Sequence, residues 1–248
     1  IMFFAFISAL SAEHLMTFAL LFIVGLVGAF LFVQFNRKES LIDLGILKNH
    51  RFVALIFSLL VYQALLLGLS FVLPSFIQVS AGFSSSVAGL FMFPGALIGA
   101  VLAPISGKVL DQIGARKPIT TGLILAALGL ALLFVFLPTK SLALLLVAHI
   151  VLMLGLGISY SNLMTCSLST LATDQLSDGN ALVNTLQQFI GAVATAVVAT
   201  TLSIFQGLNG FKVGTSHGTS IILALFFILI IVSLIVSFPN LKKIRANH

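Results

Sequence analysis

Long apolar runs, broken by short polar stretches, dominate the chain. Seven of them reach spanning length, near residues 15–35, 52–77, 86–106, 118–137, 141–164, 181–204 and 219–238. A helix rises ~1.5 Å per residue and a bilayer's hydrocarbon core is ~30 Å thick, so about 20 consecutive apolar residues can cross it. With no water in the hydrocarbon, a continuous helix is how each run satisfies its own backbone polar groups. The pattern therefore predicts an all-α membrane protein. Residues 1–10 (IMFFAFISAL) are also apolar, but they would rise only about 15 Å. They lack the basic start of a signal peptide and read as the end of a truncated spanning helix. The chain begins at Ile1, and the expectation is a C-terminal fragment of a longer protein.

The polar stretches differ in length. The segment 36–51 (NRKESLIDLGILKNHR) reads as an amphipathic surface linker. It divides the chain into a truncated helix plus one linker helix (1–35), a cytoplasmic linker (36–51), a compact six-helix unit (52–238) and a tail (239–248). The six helices split into triples, 52–137 and 141–238. Three is odd, so the second triple runs opposite to the first, an arrangement common in secondary transporters.

Composition narrows the classes. The chain is 60% hydrophobic and 7% charged, far from the roughly 25% charged of soluble domains. The net charge of +6 does not mark a nucleic-acid partner, because the charges lie in small clusters between spans rather than on one basic face. One set of alternate loops holds Arg37, Lys38, Lys48, Arg51, Lys108, Arg116, Lys117, Lys242, Lys243 and Arg245, and the other only Lys140 and Lys212. Positive charge favours the cytoplasmic side. This predicts a multi-pass protein of the cell membrane with loops 36–51, 107–117 and 165–180 and the C-terminal tail in the cytoplasm. Cys166 is the only cysteine, so neither an intrachain disulfide nor a cysteine metal site can form. Asp174 and Asp178 lack further ligands for a metal, and Asp178 reads as the N-cap of a helix beginning near Asn180. No metal and no cofactor are expected.

Four charged residues crowd the stretch ISGKVLDQIGARKPI, residues 105–119. Gly114 can take a left-handed backbone and end a helix. Asp111, the only acid there, can accept from backbone amides or a cation and fasten the loop to a neighbouring helix end. GKVLDQIGARK resembles the loop motif G-x-L-x-D-r-x-G-r-k of the major facilitator superfamily: Gly107, Asp111, Gly114 and Arg116 match it, while Val109, Gln112 and Ala115 depart from it. SSSVAGLFMFPGALIGAVLAPISG and MLGLGISYSNLMTCSLSTLATDQLSDGNALVNTLQQFIGAVATAV resemble the drug/proton antiporters with fourteen helices, the EmrB/QacA type. The resemblance implies the C-terminal six-helix bundle of a major facilitator fold, with 15–35 as one of two inserted helices. It also implies that Gly107, Asp111, Gly114 and Arg116 gate conformational change, and that an N-terminal half carries the proton-coupling groups.

Gly95, Gly99, Ala103 and Gly107 recur every fourth residue and make a smooth helix-packing stripe. Pro94 and Pro104 can bend the same helix. A bulky residue at Gly99 is expected to slow transport more than it lowers expression. No Asp, Glu, Lys or Arg lies mid-span, so neutral groups are left as candidate substrate contacts: Gln63 and Gln187 first, then Tyr62, Asn184 and Gln188. The default for each is an interhelical hydrogen bond. Tyr160, Ser161 and Asn162 sit toward the cytoplasmic end of their helix. His149 is titratable at mid-membrane depth; it suits a proton or substrate contact, or a neutral hydrogen bond across helices.

The function the resemblance implies is proton-coupled export of small hydrophobic or cationic drugs by alternating access. The expected partners are the N-terminal half of the same transporter, the lipid bilayer, the substrate and protons. An uptake carrier of the same fold for a sugar, amino acid or lipid is the alternative. A membrane-embedded enzyme is remote, because the loop acids Asp111, Asp174 and Asp178 have no histidine beside them.

Overall fold

The computed structural model describes residues 43–241. The stub 1–10, the helix 15–35, the start of the linker (36–42) and the tail beyond residue 241 lie outside the described residues. Six long helices follow one another: α1 His50–Ser75, α2 Ser85–Ile113, α3 Arg116–Phe136, α4 Leu142–Leu168, α5 Leu176–Asn209 and α6 Phe211–Asn240. All six are long and apolar enough to cross a membrane.

Local chemistry sets several of the ends. Asn49 Oδ1 accepts from the backbone N–H groups of Arg51 and Phe52 and starts α1. Ser84 Oγ does the same for Val87 N–H at the start of α2. Such caps satisfy amides that have no partner inside the helix. Gly114, at φ 77°, ends α2 in the left-handed region that glycine alone adopts at no steric cost. Pro74 lies near the end of α1, and the chain continues as a π-helical turn, Phe76–Ser80.

The helices outrun the apolar pattern in the second triple. The gap expected over 205–218 contracts to Gly210, between α5 and α6. Its polar side chains bond their own backbone one turn back: Asn209 Nδ2 donates to Phe205 O and Thr215 Oγ1 to Phe211 O. Gln206 Nε2 then donates to Thr215 Oγ1 at 2.7 Å, linking the two helices. The segment reads as a loop by composition, yet its donors are met within the helices.

Helix α1 is the centre of the bundle; Leu55, Leu59, Tyr62, Leu65 and Leu69 are fully buried on it. The second helix of each triple packs on the first helix of the other, α2 on α4 and α5 on α1, while α3 meets α6. A close approach along the helices joins α3 to α4. A Cβ added at Gly155 would lie 2.5 Å from both Ala126 N and Gly122 O, and one added at Gly129 would lie 2.5 Å from Leu152 N. Two backbones therefore touch there with no side chain between them, the close packing that small residues permit in membrane helices. The stripe on α2 behaves differently. Gly95 meets His149 and Met153, but nothing lies within 4 Å of a Cβ at Gly99 or Gly107, and Ala103 is exposed. Only its first residue is a tight helix contact among the described residues; further along, α2 meets α4 through residues off the stripe, with Ser106 Oγ 2.8 Å from Ser161 Oγ.

One end of the bundle gathers the start of α1, α3 and α5 and the finish of α2, α4 and α6. Lys48, Arg51, Lys108, Arg116 and Lys117 lie there, and Lys140 and Lys212 lie at the other end. A short 3-10 turn, Leu44–Lys48, crosses this basic end as a strap before α1. Asp43 N–H donates to Asp178 Oδ2 at 2.8 Å, Gln175 Nε2 donates to Asp43 Oδ2 at 3.1 Å, and Asn49 Nδ2 donates to Thr170 O at 2.9 Å. Ile46 is buried beneath the strap. Asp178 is thus not the helix cap expected of it. Helix α5 begins earlier, at Leu176, which puts Asp178 in the first turn, where its carboxylate holds a strap 135 residues away in sequence. Asp178→Ala is expected to loosen the strap alone. Loss of a charge-assisted hydrogen bond of ~1.5 kcal/mol corresponds to about tenfold faster amide exchange over 43–49, measured by hydrogen–deuterium exchange, with the interior of α1 unchanged.

Candidate functional site: a polar relay across three helices

The polar groups that the apolar pattern singles out belong to three helices that meet around α4. Gln63 lies 13 residues into α1, Tyr160 eight residues before the end of α4, and Gln187 11 residues into α5. At ~1.5 Å per residue these positions are roughly 20, 12 and 17 Å from the basic end, so all three converge inside the hydrocarbon. Gln187 Nε2 donates to Tyr160 Oη at 2.7 Å, and Tyr160 Oη donates to Gln63 Oε1 at 2.7 Å. One phenol serves as acceptor and donor at once and joins α5, α4 and α1. All three side chains are half-buried, so the Gln63 amide nitrogen and the Gln187 amide oxygen remain available for a further partner.

Tyr62, next to Gln63, turns the opposite way. It is fully buried, and its Oη lies 2.8 Å from Ser159 Oγ, which also sits 2.7 Å from Gly155 O. Consecutive residues on a helix point about 100° apart, so the two tyrosine–polar pairs flank α4, one toward the core and one toward the open face. Tyr62 and Tyr160 keep their ring centroids 6.5 Å apart.

Asn184 and Gln188 do not join the relay. Both are exposed, and Asn184 Nδ2 bonds Asn180 O on its own helix. Their spacing to Gln187 is helical, yet only Gln187 points to Tyr160. His149 is fully buried, stacked on Phe91 with centroids 5.4 Å apart, and neither ring nitrogen has a hydrogen-bond partner among the described residues. Among the described residues the hydrogen bond across helices expected of it is not made: Phe91 stacks on it and Gly95 faces it, and neither offers a side-chain polar group. Tyr160 and Ser159 are the residues that sequence reasoning undervalued. The run Ser159–Tyr160–Ser161–Asn162 in a helix otherwise apolar was the available signal.

Between α2 and α4 lies a cavity of about 230 Å³. Its α2 wall is Gly95, Ala96, Gly99, Ala100 and Ala103, and its α4 wall includes Met153, Gly157, Tyr160 and Ser161. The small residues of the stripe thus border space rather than a neighbouring helix. Tyr160 places the relay on one wall of that space, so an apolar molecule in it would find hydrogen-bonding groups at one end, the usual make-up of a ligand site.

The loop motif forms the tight turn between α2 and α3. Gly107 and Asp111 sit on the last turns of α2, Gly114 is the turn itself, and Arg116 opens α3. Asp111 is exposed and makes no hydrogen bond among the described residues. The Arg116 guanidinium carbon lies 4.5 Å from the Phe238 ring centroid near the end of α6. Because α2 stays helical through Ile113, the Asp111 side chain is held on an outward face, whereas Arg116 starts the helix that packs on α6. No group of three or more His, Cys, Asp or Glu among the described residues is placed to hold a metal.

The comparisons agree with this architecture. The chain is 31% identical over 179 residues to a lincomycin resistance protein, LmrB, of Listeria monocytogenes, covering 72% of this chain and 38% of that protein. The LmrB of Listeria innocua is 30% identical over the same length. A multidrug resistance protein, Stp, of Mycobacterium tuberculosis is 32% identical over 142 residues, 56% of this chain and 25% of the relative. The chain therefore spans well under half the length of these curated relatives. With its six apolar helices it is a multi-pass membrane protein. The model of the Major Facilitator Superfamily matches residues 1–195, most of the chain, and the chain belongs to that superfamily.

Proposed function

We propose that this chain is one half of a secondary active transporter that exports hydrophobic or cationic drugs, coupled to protons, by alternating access. Residues 52–238 form the six-helix half, and an N-terminal half of the same transporter completes the pathway and carries the proton-coupling carboxylates. The protein sits in the cell membrane with the basic end and the C-terminal tail in the cytoplasm, as the lysine and arginine bias favours. Gln63, Tyr160 and Gln187 contact the substrate from the open face, and Tyr62 holds α4 behind them. The hinge of Gly107, Asp111, Gly114 and Arg116 changes its contacts between conformations.

The observation that carries this reading is the Gln63–Tyr160–Gln187 relay. A polar network half-open to a cavity inside an otherwise apolar bundle is costly to keep unless something uses it. The relatives named for lincomycin and multidrug resistance support the substrate class.

The test is accumulation of lincomycin and of ethidium by cells expressing the full-length protein, with and without an uncoupler. Lower accumulation that the uncoupler abolishes is the expected result. Higher accumulation in expressing cells would favour the uptake carrier, and no difference for either compound would overturn the reading.

A further inference from the structure

His149 is a buried titratable side chain that the relay does not use. Its exposure is 0%, and neither Nδ1 nor Nε2 has a hydrogen-bond partner among the described residues. Buried polar atoms are nearly always paired, and an unpaired pair of ring nitrogens in a packed bundle lowers stability without a structural return. Sites that break such rules tend to be functional.

The surroundings give the unpaired ring a direction. A Cβ added at Gly95 would lie 2.5 Å from His149 Nε2 and 2.8 Å from Met153 Cγ, so Gly95 faces the ring directly. Gly95 and Met153 are also the residues that close the end of the α2–α4 cavity away from Tyr160 and Ser161. Gly95 has no side chain, so only the α2 backbone separates the imidazole from the cavity. That backbone is weakest there, because Pro94 cannot donate the hydrogen bond that Leu90 O would otherwise accept. Phe91, one turn away, covers the ring face. The cavity thus ends at hydrogen-bonding groups on both sides: Tyr160 and Ser161 at one end, and a masked imidazole behind Gly95 at the other. From Met153 to Ser161 is eight residues, roughly 12 Å along α4.

We propose that His149 is the far polar anchor of this cavity. It is uncovered by a small displacement of α2 at Pro94–Gly95 and hydrogen-bonds a polar group at one end of a transported drug whose other end meets Tyr160. The inference rests on the transport reading above and adds a specificity-determining residue to it. It also explains why the stripe on α2 is small where no helix packs: side chains at Gly99 and Ala103 would fill the ligand's space.

The experiment uses the full-length protein purified in detergent, with ethidium and lincomycin as probes, and compares the wild type with His149→Leu and His149→Gln. A merely structural orphan and a ligand anchor differ in two readouts. Removing an unpaired polar group is expected to raise the apo Tm of His149→Leu by roughly 2 °C. The anchor further requires that the Tm rise produced by a probe in the wild type be lost in His149→Leu and largely restored in His149→Gln, which keeps a donor and an acceptor. Efflux of that probe from cells is expected to fall at least fivefold in His149→Leu. A wild-type ligand shift and efflux retained in full by His149→Leu would overturn the anchor while leaving the transport reading intact. So would an apo Tm that falls in His149→Leu, since the ring would then be paired. Absence of any shift by either probe in the wild type overturns the anchor as well, whereas absence of wild-type efflux alongside a His149-dependent shift overturns only the transport reading.

Discussion

Gly155→Leu is expected to leave no folded protein in the membrane. The α3 and α4 backbones touch at this point, and the atoms that a new Cβ would meet, Ala126 N and Gly122 O, are main-chain atoms of the opposite helix. They cannot rotate aside as a side chain does. Accommodating leucine means separating the helices along the contact that also includes Gly129 and Leu152. Overpacking a well-filled site costs ~1–3 kcal/mol and occasionally more; parting two backbones belongs at or above the top of that range. Against a total stability of about 5–15 kcal/mol, such a loss is large. The measurement is the yield of monodisperse protein in detergent and its thermal unfolding. Gly155→Ala should fold with a clearly lowered Tm, while Gly99→Ala, with nothing within 4 Å of the added carbon, should match the wild type or slightly exceed it. A Gly155→Leu protein that unfolds at the wild-type temperature would show that α3 and α4 do not meet as described.

Tyr160→Phe should produce the second largest effect, on transport rather than on folding. The substitution removes one oxygen that accepts from Gln187 and donates to Gln63, and leaves two half-buried amides that no longer share a partner. Each lost hydrogen bond is worth about 1 kcal/mol, so Tm is expected to fall by only a few degrees. Efflux of a transported compound is expected to drop about tenfold, equivalent to ~1.4 kcal/mol, because the two amides drift from the positions proposed for substrate contact. A double-mutant cycle isolates the relay. Gln63→Met and Gln187→Met should be energetically coupled when Tyr160 is present and additive in the Tyr160→Phe background. Additivity in both backgrounds would mean that the phenol does not join them.

Much of the architecture was legible along the chain. Hydrocarbon demands unbroken apolar helices, so each of the six runs from residue 52 onward is matched by a helix, and Gly114 with its following basic residues was readable as a turn. Helix ends were less legible, since Thr215 and Asn209 look like loop residues until their bonds to their own backbone are seen. Gln63 and Gln187 stood out because polar groups are scarce inside spans, yet nothing in their spacing disclosed Tyr160 as the link. The stripe Gly95–Gly107 and the glycines of α3 and α4 look alike as small-residue patterns; most of one borders a cavity and the other carries a backbone-to-backbone helix contact.

What the sequence determined by itself was one-dimensional: how many helices cross, which stretches stay in polar surroundings, and which residues are too polar to face lipid. Hydropathy and length settle those points within each segment. The tertiary structure decided the pairings, because the partner of a residue depends on how helices far apart in the chain cross. Tyr160 reaches Gln63 over 97 positions and Asp43 reaches Asp178 over 135. A helical period states which face a residue shares within its own helix, and only the packed bundle states what that face meets.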